Sequence, residues 1–256
     1  YGSNDYMEWL NLDDRKNMVI HNGIDVIRSK KKIDKNIKEK LGIKKEDLVV
    51  GFVGRFTEDK RPWVFLKIAE RILLEAGDKG SNELEKWYLE NEKKGLMDEE
   101  ISNNEVGKNI HFVMVGEGPQ FEIAKRIVDN SELMTKNIHL VGYSDNVHNY
   151  LSFFDCFLLT SKVEGLPNVI IEAQTHSIPV VSTNAGGSAE CFIEGVTGFL
   201  AKNNDIFELE KLVLKVLSDP KIKQNIKKKA PKFIKERFGR KVYSANINKL
   251  YTRQYI

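Results

Sequence analysis

The stretch SKVEGLPNVIIEAQTHSIPV, residues 161–180, decides how the rest of the chain is read. It carries two carboxylates, Glu164 and Glu172, with seven residues between them and a Gly165-Leu166-Pro167-Asn168 turn inside the interval. Proline is well tolerated at the first position of a helix, where its missing N–H would find no partner in any case. Glu164 is therefore expected in a loop at the end of a strand, with Pro167 opening a helix that carries Glu172 on its second turn. The apolar residues of Phe153–Leu159 supply the strand before the turn, and Ile178–Ser182 the strand after the helix.

Outward from that unit the pattern repeats. Leu48–Val53, LVVGFV, is a continuous apolar run of the kind found in strands buried on both faces. Further strands are expected over Ile110–Val115, Asn137–Val141 and, short and last, Thr197–Leu200. Between them, Val64, Phe65, Ile68, Ala69, Ile72 and Leu73 recur with helical spacing, and Asp59 is a candidate cap for that helix. Ser144 or Asp145 is expected to cap a short helix further on. Strand–helix alternation of this kind predicts an α/β fold, a Rossmann-like doubly wound parallel sheet. Arg28–Lys45 reads as linker plus surface helix, its Lys30-Lys31-Lys32 run a solvated face more readily than a membrane patch. The acidic residues 77–107 read as a helical insertion on the surface, and Asp205–Ile256 as lysine-rich helices.

At 256 residues the chain is long enough for a sizeable core, and 41% hydrophobic with 30% charged residues describes an ordinary globular protein. A net charge of +3 is too weak to imply nucleic acid. Cys156 and Cys191 sit in apolar surroundings and read as buried core thiols, which suits a reducing cytoplasm. No secretory signal and no bilayer-length apolar run occurs. The opening Tyr1-Gly2-Ser3 reads as the start of an excised piece of a longer protein.

In an open parallel sheet, ligands bind at the carboxyl ends of the strands, and a helix N-terminus there suits a phosphate. Two carboxylates beside such an anion site make sense if the ligand also carries hydroxyls, because an ionised carboxylate only accepts hydrogen bonds. A molecule with phosphates and two sets of vicinal hydroxyls is a nucleotide sugar. The expected strand ends bring together Gly54, Arg55 and Lys60, then Gly116-Glu117-Gly118, Gly142-Tyr143, the Glu164–Asn168 turn and Gly186-Gly187-Ser188. Glycines let backbone approach a ligand closely, and Arg55 and Lys60 would face the charge that develops on a departing diphosphate. Each feature also has a plainer reading. An arginine and a lysine after a strand are commonly surface charges, and two acids alone are commonly solvated. Neither Gly116-x-Gly118 nor GFVGRF completes a dinucleotide fingerprint, and no P-loop motif occurs. The five histidines lack metal-ligand spacing, so no metal site is expected.

The run from Ser161 to Leu200, SKVEGLPNVIIEAQTHSIPVVSTNAGGSAECFIEGVTGFL, closely resembles the donor-binding signature of retaining glycosyltransferases of family 4. VIHNGID (Val19–Asp25), VGRFTEDK (Val53–Lys60) and FVMVGEGP (Phe112–Pro119) extend the likeness over most of Val19–Leu200. That family has the GT-B architecture, two Rossmann-like domains facing across a cleft. The resemblance implies that residues 1–27 are the interdomain linker and the end of an N-terminal domain, and that 28–256 form the donor-binding domain. It implies a donor carried on a nucleoside diphosphate, most commonly uridine diphosphate, and no metal or other cofactor. Arg55 and Lys60 would hold the diphosphate, Glu164 the sugar hydroxyls, Glu172 the ribose hydroxyls, and backbone of Gly165, Leu166, Pro167 and Asn168 the sugar or phosphates. Gly142 and Tyr143 would lie by the base. A glycan or lipid-linked acceptor would bind through the N-terminal domain, in the cytoplasm and with peripheral membrane association, and this portion alone would turn over little or nothing. A GT-B nucleotide-sugar epimerase and a non-catalytic nucleotide-sugar binding module are the alternatives.

Overall fold

The computed structural model describes residues 20–24, 33–74, 79–92, 109–201 and 205–253. The Lys30-Lys31-Lys32 run, most of residues 1–27 and the remainder of 77–107 lie outside them. Six strands form one wholly parallel sheet: β1 (Leu48–Val53), β2 (Ile110–Val115), β3 (Ile138–Gly142), β4 (Cys156–Leu159), β5 (Val180–Thr183) and β6 (Gly198–Ala201). The helices are α1 (Ile37–Lys40), α2 (Pro62–Leu73), α3 (Asn82–Glu92), α4 (Phe121–Asp129), α5 (Glu132–Asn137), α6 (His148–Leu151) and α7 (Asn168–Thr175). They continue as α8 (Ile206–Ser218), α9 (Pro220–Phe238) and α10 (Arg240–Arg253), and a 3-10 turn, Gly186–Cys191, follows β5.

The strand order is β3-β2-β1-β4-β5-β6, so the chain winds outward from β1 in one direction and then returns to wind outward from β4 in the other. Strand side chains alternate between faces. Val50, Phe52, Phe112, Met114, Cys156 and Leu158 enter one core, packed beneath α2 to α5 and α8. Val49, Val113, Val115, Phe157 and Leu159 enter the other, beneath α6, α7 and the end of α9. Apolar residues on both faces of each central strand are what the continuous run LVVGFV required, and the sheet is the Rossmann-like, doubly wound α/β sheet expected.

Several boundaries move for identifiable reasons. β5 starts at Val180, not Ile178, because Pro179 has no N–H to give the ladder, although its carbonyl accepts from Phe157 N at 2.9 Å. β4 starts at Cys156, since Phe153 closes a turn on Tyr150 O and Phe154 lies across Gly51 of β1. Asp59 does not cap α2. The N-cap position is Arg61, in the left-handed region with φ 49°, and no side chain caps the helix. Nor does Ser144 or Asp145 cap α6, whose N-cap is Val147; Ser144 Oγ instead accepts from Asn146 N at 3.2 Å. Pro167 is the N-cap of α7 and Asn168 its first residue, one position later than expected. Within the segment read as a surface insertion, α3 lies against α2 and buries Leu84, Trp87 and Tyr88 in the core, so its inner face is not surface.

Candidate functional site

Adjacent β1 and β4 send their chains to helices on opposite faces of the sheet, β1 to α2 and β4 to α7. This is the topological switch point of an open α/β sheet, where ligands bind. The loop after β1 carries Gly54 to Arg61, and the loop after β4 carries Thr160 to Pro167. They are stitched together: Lys162 N donates to Asp59 O at 2.7 Å, and the Thr160 side-chain Oγ1 donates to Lys60 O at 2.8 Å.

Glu164 sits at the centre of that seam. Its Oε1 accepts from Lys60 Nζ at 2.7 Å and from Ser161 Oγ at 2.6 Å, while the side chain is only 9% exposed. The other oxygen accepts no hydrogen bond from the described residues. Lys60 also lies 3.4 Å from Asp59 Oδ2, so its ammonium is held between two carboxylates. Arg55 is exposed and makes no ion pair among the described residues. Of the two cations read as diphosphate contacts, one is thus free and one is already engaged.

Glu172 lies on α7 four residues beyond Asn168, on the same face of the helix. It is half-buried, and no donor or cation among the described residues reaches its carboxylate. Burial alone pushes its pKa above the ordinary glutamate value. A desolvated acceptor with nothing to accept from is poorly suited to stability and well suited to a ligand that brings hydroxyls.

The glycines shape the loops by close approach. Gly116, at φ 136°, packs so that a Cβ there would come within 1.9 Å of Gly54 O. Gly186, at φ 51°, is backed against Glu164, where a Cβ would fall 1.7 Å from the Glu164 carbonyl oxygen. Gly187 N donates to Gly165 O at 2.9 Å. The Gly186-Gly187 pair therefore presses the loop after β5 onto the main chain of Glu164 and Gly165 in the neighbouring loop. Gly165 itself faces open space, and Leu166 is partly buried, Pro167 buried and Asn168 exposed. Gly142 ends β3, its carbonyl accepting from Gly116 N at 2.8 Å, and Tyr143 beside it is 69% exposed, with its N–H donated to Glu117 Oε1.

The sequence reading missed Arg61. It is 1% exposed, its Nε donates to Thr160 O at 2.6 Å, and its Nη1 lies 3.3 Å from Glu92 Oε2. Ser161, which orients Glu164, was also missed; its spacing of three residues before the glutamate was the available signal. Among the described residues no three His, Cys, Asp or Glu side chains are grouped as a metal site would need.

A family model described as Glycosyl transferases group 1 matches residues 99–233, more than half of the chain. This chain belongs to the group 1 glycosyltransferases. The glycosyltransferase chain is 30% identical over 240 residues to the Vi polysaccharide biosynthesis protein VipC/TviE of Salmonella typhi, covering 91% of this chain and 36% of that protein. It is 29% identical over 213 residues to the Escherichia coli UDP-Gal:alpha-D-GlcNAc-diphosphoundecaprenol alpha-1,3-galactosyltransferase, covering 82% of this chain and 47% of that one. This glycosyltransferase chain thus spans less than half the length of either relative. Among solved structures, Anabaena Alr3699/HepE in complex with UDP superposes with a TM-score of 0.73 at 19% identity, over 98% of this chain and 61% of that one. Staphylococcus aureus TarM superposes with a TM-score of 0.67 at 20% identity, over 96% and 41%. At these identities the likeness concerns the fold, which is that of a Rossmann-like domain of the GT-B enzymes.

Proposed function

We propose that this chain is the donor-binding domain of a retaining glycosyltransferase that takes a sugar from a nucleoside diphosphate, uridine diphosphate in the first instance. The observation that carries the reading is the pair of acceptor-only groups at the switch point: among the described residues, Glu164 has one oxygen unused and Glu172 has no partner. Glu172 takes the ribose hydroxyls and Glu164 the sugar hydroxyls. Arg55 and Lys60 hold the diphosphate, with main chain of Gly54, Gly116 and Gly165 to Asn168 near the phosphates and sugar. Gly142 and Tyr143 lie by the base.

The Lys60–Glu164 ion pair couples these roles. A diphosphate draws Lys60 toward itself, and the freed Glu164 oxygen turns to the sugar. During transfer the bond from the sugar's anomeric carbon to the diphosphate oxygen breaks, its electron pair leaving with the diphosphate. The acceptor hydroxyl forms its bond on the same face and passes its proton to the departing phosphate oxygen. Positive charge at Arg55 and Lys60 then acts where negative charge grows. The transfer needs no metal in this reading, since these two side chains supply the counter-charge.

The acceptor, a glycan or lipid-linked sugar in polysaccharide assembly, binds to a further domain, so the chain alone binds donor without turning it over. Lys221, Lys228, Lys232 and Lys235 recur on the face of α9 opposite Ile222, Ile226 and Ile234, a surface that would favour anionic lipid near such an acceptor. Titration calorimetry with UDP and UDP-glucose tests the central claim. Glu164→Ala should weaken UDP-glucose while leaving UDP unchanged or tighter, because it releases Lys60. Equal loss for both ligands would remove the assigned division of labour.

A further inference from the structure

A guanidinium taken out of water is costly unless its donors and its charge are met. Arg61 meets both in a particular way. Its charge is matched by Glu92 at the end of α3, whose side chain is 6% exposed and whose Oε1 also accepts from Trp63 Nε1 at 2.8 Å. Two of its other donors go to main chain across the seam, Nε to Thr160 O at 2.6 Å and Nη2 to Ser161 O at 3.4 Å. Those two residues are the last before the turn that carries Glu164, and Ser161 Oγ holds Glu164 Oε1. Ser161 O is gripped from the other side by Thr183 Oγ1 of β5 at 2.6 Å. An apolar side chain at 61 would fill the same space, but only a planar fork of donors can tie two successive carbonyls to a helix on the far side of the loop.

We propose that Arg61 and Glu92 are positioning residues of the donor site, through which α3 fixes the Thr160–Ser161 segment and hence the placement of Glu164. The proposal rests on the donor-binding reading given above for its ligand arm only. α3 is then a buttress for sugar recognition as well as a layer of core.

The test must separate positioning from stability. Arg61→Met alone strands the Glu92 charge, so it is expected to lower the melting temperature. R61M combined with E92Q removes both charges and keeps an acceptor for Trp63, and replacing both members of a buried pair is often close to neutral. In that double variant, folded and with a melting temperature near wild type, amide hydrogen exchange across residues 161–166 should quicken by about tenfold. The preference for UDP-glucose over UDP should fall by a similar factor, the equivalent of one hydrogen bond. Unchanged exchange across 161–166 in the folded double variant would overturn the proposal. Should the double variant not fold, Glu92→Gln alone is expected to quicken exchange in the same segment to a lesser degree, and no change there would overturn it equally. If the wild-type chain binds neither UDP nor UDP-glucose, the donor reading falls while the exchange arm still decides the clamp.

Discussion

The two ends of the sheet handle polar groups in opposite ways. At the amino end, Asp47 just before β1, His111 in β2 and His139 in β3 form a chain, with His111 Nε2 3.3 Å from Asp47 Oδ2 and His111 Nδ1 3.0 Å from His139 Nε2. His148 and His176 form a second pair there, 2.9 Å apart and stacked. These groups answer one another. At the carboxyl end, among the described residues, Glu172 has no partner and Glu164 has an unused oxygen, while Arg55 is exposed to solvent. Buried polar groups in proteins are nearly always satisfied; Gln174 Oε1 at the amino end is an exception among the described residues, and the carboxyl end differs in leaving charged acceptors open to a ligand.

Removing that unspent capacity should have the largest effect. Glu172→Ala is expected to weaken UDP by about tenfold to a hundredfold, the loss of one or two hydrogen bonds to a charged acceptor. Stability should move the other way. The pKa of Glu172 is raised in the folded state, so its contribution is fully present below the unfolded value and is lost as pH rises through the folded one. At pH 7 the ionised group burdens the fold, and Glu172→Gln should raise the melting temperature while binding falls. A variant that lost both affinity and stability would place Glu172 with the self-satisfied groups at the other end.

Next in size is the paired substitution of Arg55 and Lys60 by alanine. UDP affinity should drop and its dependence on salt should flatten, because exposed charge–charge attraction is screened. Affinity that stays unchanged at low salt would take the diphosphate away from this edge.

The amino end gives a pH signature instead. Burial, with the neighbouring His111 adding to it, pushes the His139 pKa down to about 4. Burial also lowers His111, with Asp47 pulling the other way and Lys38 adding to the fall. For His139 the unfolded chain binds the proton more readily, so stability is level above pH 6.5 and declines as pH falls from there toward 4. His139→Gln should flatten the melting temperature over that interval and leave UDP binding at neutral pH untouched. A melting profile equally steep in the variant would show that the acid sensitivity lies elsewhere.

How much of this was legible follows from what each residue advertises. Short apolar runs such as LVVGFV and, broken only by His111, IHFVMV fit strands with two covered faces, so the sheet was readable. The spacing of Glu164 and Glu172 around a proline turn put Glu164 in the loop at the end of a strand and Glu172 on the second turn of the helix after it. Arg61 was not readable, because a cation between Lys60 and Pro62 resembles every other surface charge until tertiary structure buries it. The inner face of α3 was readable and passed over: Leu84, Trp87 and Tyr88 stand at helical spacing inside an acidic segment whose composition suggested solvent. Asp59 failed as a cap because the N-cap position falls two residues further on, at Arg61 in the left-handed region, and the Asp59 carboxylate lies beside Lys60.

The smallest expected effect is none, and it bears on the carboxylates most directly. Two acids at a strand end beside a diphosphate would equally suit a divalent cation bridging protein and phosphate, since such ions take oxygen ligands and keep several waters. The two arrangements predict opposite behaviour. If the acids accept sugar and ribose hydroxyls, with Arg55 and Lys60 as counter-charge, then a chelator should leave UDP and UDP-glucose affinity unchanged and added magnesium or manganese should not raise it. If chelation abolishes binding and either ion restores it, Glu164 and Glu172 are metal ligands. In that case Glu172→Ala would lose its UDP affinity only in the presence of the ion. Calorimetry with and without chelator on the wild type and on that one variant therefore separates a hydroxyl acceptor from a metal ligand at the same atom.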